Sequence, residues 1–158
     1  IKRIIPNYLL NILLENTEKI NIMDNPKYGR QYVDDPIKTN LPLQKYWGSI
    51  QTIFQNSSLV LKMISMNKNT QSSLEYHVSK DEYYYLIKGK LKIGMRIGRA
   101  QNISKILNEG ELFYIPRGLM HMRIALEDCT ILEWSNVDND EDSNIVEDGA
   151  TYKHMEQI

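Results

Sequence analysis

Between Trp47 and Trp134 the apolar residues fall into short runs rich in Ile, Leu, Val, Met and Tyr, broken by clusters of Gly, Asn, Ser and Asp. In Lys90-Leu91-Lys92-Ile93-Gly94-Met95-Arg96-Ile97 the odd positions are apolar and the even ones polar or glycine, the alternation of a strand with one buried face. Comparable runs cover Leu59–Met66, Ser73–His77, Glu82–Lys88, Glu111–Ile115, His121–Leu126 and Thr130–Trp134, with turns at Lys88-Gly89 and Pro116-Arg117-Gly118. Evenly spaced short strands predict an all-β sandwich or small barrel. Upstream the pattern differs. Leu9, Leu10, Leu13 and Leu14 recur near helical spacing after Pro6-Asn7, which predicts a short amphipathic N-terminal helix over Pro6–Ile20 that packs against the main body. Asn21 to Gln44, punctuated by Pro26, Gly29, Pro36 and Pro42, reads as an extended arm.

Composition narrows the class. The chain has 158 residues, 42% of them hydrophobic, enough for one domain with a buried core. Nineteen Lys and Arg against 20 Asp and Glu leave a net charge of -1, so no overall field draws it to nucleic acid or anionic lipid. The basic ribbon Lys88, Lys90, Lys92 and Arg96 lacks interleaved exposed aromatics and reads as a solvated sheet face. No apolar run approaches the ~18 residues of a membrane span, and Ile1–Pro6 shows no signal-peptide pattern. The expectation is a cytoplasmic protein with no nucleic-acid or membrane partner. The single cysteine, Cys129, reads as a small buried apolar residue, Asp138–Asp142 as a solvated acidic loop, and His154 as a surface histidine.

The candidate chemistry lies at strand ends. A two-residue side-chain period puts Glu75 and His77 on one face of their run; Glu82 opens the next run and His121 a distant one. Imidazole nitrogen and carboxylate oxygen suit Fe(II), Mn(II), Zn(II), Co(II) or Ni(II), whereas calcium would require more oxygens. The spacing Glu75-x-His77-(x)4-Glu82-(x)6-Gly89 resembles the first cupin motif, and Gly110-(x)5-Pro116-x-Gly118-xx-His121 the second. Glu75 stands where the first motif normally begins with His, and Ala125 where the second usually ends in Asn. The resemblance implies a cupin jelly-roll barrel over residues 45–148, between the helix and arm of residues 1–44 and a tail of residues 149–158. It implies a divalent transition metal held by Glu75, His77, Glu82 and His121, and a homodimer, since such cupins commonly pair through sheet edges.

Within the cupins, Ser73-Leu74-Glu75-Tyr76-His77 resembles the Ser-Leu-Gln-x-His sequence of type II mannose-6-phosphate isomerases. Lys45-Tyr46-Trp47-Gly48 is similar to that family's Arg-Pro-Trp-Gly, and Leu61-Lys62-Met63-Ile64 to its Val-Lys-Arg-Ile strand. Tyr114-Ile115-Pro116-Arg117-Gly118 and Ile131-Leu132-Glu133-Trp134 also follow it. The arginines near the family's C-terminus are replaced here by Glu147 and by Gly149-Ala150-Thr151-Tyr152. The resemblance implies an isomerase-like or epimerase-like enzyme acting on a sugar phosphate or nucleotide sugar. Such chemistry requires a Lewis acid and a proton carrier. Glu133 is the candidate acid–base residue, against an equally common reading as a solvent-facing strand residue. Arg123, two residues after His121, is the preferred anion-binding residue. Tyr84 is placed to line the cavity. Lys80 and Lys45 stand where the family carries Arg and are further substrate-binding candidates, although an exposed turn lysine is the commoner reading of Lys80. The competing readings are a non-catalytic carbohydrate-binding cupin and an Fe(II) dioxygenase.

Overall fold

The computed structural model describes residues 39–98 and 101–151. The predicted N-terminal helix, most of the arm, and His154 lie outside the described residues. The strands are β1 (Leu43–Lys45), β2 (Gly48–Gln55), β3 (Val60–Met66), β4 (Leu74–Tyr76), β5 (Glu82–Lys88), β6 (Lys90–Ile97), β7 (Gln101–Asn108), β8 (Leu112–Ile115), β9 (Met120–Ala125), β10 (Cys129–Ser135) and β11 (Asn144–Glu147). A 3-10 turn at Asp140–Asp142 precedes β11.

All pairings are antiparallel, in a six-stranded sheet ordered β1-β2-β3-β10-β5-β8 and a five-stranded sheet ordered β11-β4-β9-β6-β7. Together they form the jelly-roll barrel. The predicted alternation in β6 is realised over Leu91, Ile93 and Met95, which are buried while Lys90 is exposed; Ile97, at the end of the strand beyond the core, is exposed. Cys129 is buried, 3% exposed.

The barrel interior is graded from apolar to polar. Across β3, β10 and β5 one inward row reads Ile64, Ile131, Leu86; the next reads Lys62, Glu133, Tyr84; and the last Val60, Ser135, Glu82. On the facing sheet Leu91 pairs with Ala125, Ile93 with Arg123, and Met95 with His121, which in turn pairs with Glu75. The apolar rows join Trp47, Met66, Leu107 and Ile115 in the main core. Burying each large apolar side chain there contributes about 1.5–3 kcal/mol. The polar rows at the other end remain buried because each charge has an opposite neighbour.

Outside the six-stranded sheet, two cross-strand rows are almost wholly apolar. One runs Phe54, Leu61, Trp134, Tyr83, Tyr114, and the other Gln51, Met63, Leu132, Tyr85, Leu112. Tyr83 stacks on Trp134 and on Tyr114, with ring centroids 5.2 and 4.8 Å apart. Gly48 is required where the chain enters β2. Its φ is +145°, and a Cβ there would lie 2.0 Å from the Ser65 carbonyl oxygen.

Candidate metal centre

Glu75 on β4, paired with His121 of β9, and His77 just beyond the end of β4 lie beside the His121 ring. Glu75, His77 and His121 each offer a ligand atom within 4.8 Å of the others. Glu82, at the start of β5, completes the group: its Oε2 lies 2.9 Å from His121 Nε2 and its Oε1 3.6 Å from His77 Nε2. His77, Glu82 and His121 are 6%, 2% and 1% exposed, so this group sits inside the barrel end and not on its rim.

The tautomers follow from the partners. Nδ1 of His77 lies 2.9 Å from the Asp142 carbonyl oxygen, and Nδ1 of His121 lies 2.9 Å from that of Leu119. A carbonyl oxygen only accepts, so each Nδ1 donates its proton and each Nε2 is turned toward Glu82. An Nε2 in that position meets the carboxylate either as an N–H donor or, once deprotonated, as a second ligand atom beside it for a shared cation. His121 Nε2 is buried, with Glu82 Oε2 2.9 Å away. This atom, the neighbouring His77 Nε2 and the two carboxylates form a donor set that fits a divalent transition metal.

The remaining candidates surround that group. Lys80 Nζ lies 2.6 Å from Glu82 Oε1 and donates to Glu133 Oε1 at 3.2 Å. Lys80 is only 6% exposed, so the exposed turn lysine favoured by sequence is replaced by a buried cation. Glu133 likewise faces the interior, 2% exposed, because it alternates inward with Ile131 on β10. Its Oε2 accepts from Arg123 Nη1 at 3.0 Å. Tyr84, fully buried, donates its hydroxyl proton to Glu82 Oε2 at 3.0 Å and accepts from Arg123 Nη1 at 3.3 Å. The Arg123 guanidinium lies over the Trp47 and Tyr84 rings and keeps a buried Nε without a partner among the described residues. Lys45 is exposed on β1 and takes no part in these contacts.

Electrostatics keep the carboxylates charged. Burial opposes ionisation of Glu82, but the His121 contact and the Lys80 and Arg123 charges outweigh it and hold the carboxyl well below the usual range. Burial likewise opposes ionisation of Glu75, and Arg123 and the Ser143 hydroxyl outweigh it. The Tyr84 phenol is pushed far up by burial, and it therefore stays protonated and donating.

Sequence reasoning missed one contributor. The acidic run that reads as a solvated loop is tied down at both ends. Asp138 pairs with Lys62 at 2.5 Å, and the Asp142 carboxylate accepts from the backbone N–H groups of Val78 and Ser79 at 2.8 and 3.0 Å. Ser143 then donates to Glu75 Oε2 at 2.5 Å. No sequence signal marks these roles, because they depend on β11 pairing with β4.

The jelly-roll barrel with a histidine–carboxylate cluster inside one end defines a metal-capable cupin architecture. The cupin family model matches residues 47–155, and the chain belongs to that family. No curated protein matches the chain in sequence. Among solved structures, the capsular polysaccharide assembling protein CapF from Staphylococcus aureus is similar at a TM-score of 0.65 and 19% identity, over 73% of this chain and 34% of that one. KdgF from Halomonas sp. is similar at 0.56 and 16%, over 65% of this chain and 92% of that one. A variant of oxalate decarboxylase from Bacillus subtilis is similar at 0.61 and 17%, over 80% and 38%. At these identities the likeness is one of fold. This chain spans about a third of the CapF chain. The finer resemblance to mannose-6-phosphate isomerases rests on the motifs alone. No helix among the described residues is long and apolar enough to cross a membrane.

Proposed function

We propose that this cupin domain holds a divalent transition metal through Glu75, His77, Glu82 and His121 and acts with it on a small anionic carbohydrate. The class best supported is a sugar phosphate or nucleotide sugar, handled in isomerase-like or epimerase-like fashion. The observation that carries the reading is the pair of Nε2 atoms turned on Glu82, with both Nδ1 protons already committed to carbonyls.

Charge supports an anionic ligand. Glu75, Glu82 and Glu133 outnumber Lys80 and Arg123 by one, so a divalent cation turns this barrel end from net negative to net positive. When bound, the metal supplies Lewis-acid polarisation of a ligand oxygen. The unpartnered Arg123 Nε–H offers one donor for an anion, and the Tyr84 hydroxyl and Lys80 ammonium keep Glu82 oriented. CapF, a neighbour in fold that this chain matches over 36% of its length, has a structure with an inhibitor, 3-isopropenyl-tropolone. The proposed assembly is a homodimer.

One observation favours a second reading, binding without turnover. Glu133, the acid–base candidate, is clamped between Lys80 and Arg123, so both of its oxygens are already engaged. The deciding experiment loads the protein with Zn2+, Mn2+ or Co2+ and screens sugar phosphates and nucleotide sugars by thermal shift, followed by an NMR assay of aldose–ketose interconversion. The reading predicts ligand stabilisation in the metal-loaded protein alone, and turnover selects the enzyme over the binding module. Equal responses with and without metal contradict it.

A further inference from the structure

Two of the four proposed ligands are held by consecutive residues some 65 positions downstream. The Asp142 carbonyl accepts the His77 Nδ1 proton at 2.9 Å, and the Ser143 hydroxyl donates to Glu75 Oε2 at 2.5 Å. The Asp142 carboxylate also accepts from the N–H groups of Val78 and Ser79, fixing the backbone just after His77.

The segment carrying them is anchored on both sides. Asn139 caps the 3-10 turn, its side chain accepting from the Glu141 N–H, and Asp138 is paired with the part-buried Lys62. Downstream, Ile145 pairs with Glu75 across β11 and β4, Arg96 Nη1 donates to Glu147 Oε1 at 2.6 Å, and Gly149 N–H donates to Ser73 at 3.2 Å. The segment is therefore a strap laid over the open side of β4, with its two functional residues at the ligand pair.

We infer that Asp142 and Ser143 are positioning residues of the metal centre, which set the His77 tautomer and ring direction and the Glu75 rotamer before metal arrives. This rests on the metal reading above. Without the strap, the ring of His77 and the carboxylate of Glu75 have to be ordered by metal binding itself, and affinity falls by the cost of that ordering. The Asp142 carbonyl survives any substitution, so the side-chain contributions are the ones accessible to mutation.

The test is a competition titration of metal-free protein with Co2+ or Zn2+ against a chromophoric chelator, with the Co2+ visible spectrum as a second readout. Ser143→Ala should weaken binding about tenfold and Asp142→Ala about ten- to a hundredfold. Both should alter the Co2+ spectrum, and Ser143→Thr should restore affinity. Melting of the metal-free variants separates this from loss of fold, and Ser143→Ala, which removes one surface-proximal hydroxyl, keeps the test open if Asp142→Ala folds poorly. Wild-type affinity and spectrum in Ser143→Ala and in folded Asp142→Ala overturn the positioning role while leaving the metal centre standing. A wild-type protein that binds neither metal overturns both.

Discussion

At the scale of single residues, His121 and Glu133 have opposite consequences when removed. His121 contributes a buried Nε2 aimed at Glu82, so His121→Ala should take bound metal to background while the protein still unfolds cooperatively on heating. Glu133 is the shared acceptor of Lys80 and Arg123; Glu133→Gln leaves two buried cations undercompensated and should cost roughly 3–5 kcal/mol in urea unfolding. A loss below about 1 kcal/mol contradicts that role. The grouping of the proposed ligands was legible in sequence because side-chain alternation and the two cupin-like spacings bear on it directly. The burial of Lys80 was not, since the residue lies in a loop, where periodicity says nothing about direction. The interior orientation of Glu133 depended on the register of β10 against β3 and β5, which one strand's pattern cannot supply.

Among the elements, the strands that the sequence pattern left out are β1, β2, β7 and β11. β7 and β11 are edge strands of their sheet, and β7 buries only Leu107 fully, so they carry too few apolar positions for alternation to stand out. β2, with no fully buried residue, is marked instead by Gly48, whose positive φ and contact with Ser65 no other residue satisfies. Gly48→Ala should destabilise the fold by about 2–3 kcal/mol or more, read from the denaturant midpoint. The start of β5 is pinned to the Pro116–Gly118 turn by Asp81, which accepts from the Arg117 backbone N–H at 3.0 Å and pairs with its guanidinium. Hydrogen bonds from the Arg117 side chain and backbone lower the Asp81 pKa from 3.8 to about 2. A carboxyl depressed on folding contributes stability above its unfolded value, lost as pH falls from about 4 to about 2. Asp81→Asn should remove that part of the acid-side slope, a contribution under about 1 kcal/mol that shrinks in salt because the pair is exposed. An unchanged slope in the variant contradicts the assignment.

For the whole molecule, the outer face of the six-stranded sheet bears on assembly. Its two cross-strand rows contain no charged side chain from β2 to β8, and Phe54, Tyr85, Leu112 and Tyr114 are 49%, 37%, 52% and 47% exposed. A neutral apolar face excludes charged partners, whose ions would be desolvated without counterions, and is complementary to a second copy of itself. The account therefore expects a homodimer by light scattering, and Leu112→Glu at the β8 edge should shift it to monomer; a wild-type monomer at tens of micromolar contradicts this. Inside the barrel, the metal centre is tested by elemental analysis of the protein, purified without a metal-binding tag and reconstituted with excess Zn2+, Mn2+, Co2+, Ni2+ or Fe2+, beside His121→Ala treated identically. The account predicts one metal per chain in the wild type and background in the variant. Stoichiometric metal in folded His121→Ala, or none in the wild type, contradicts it.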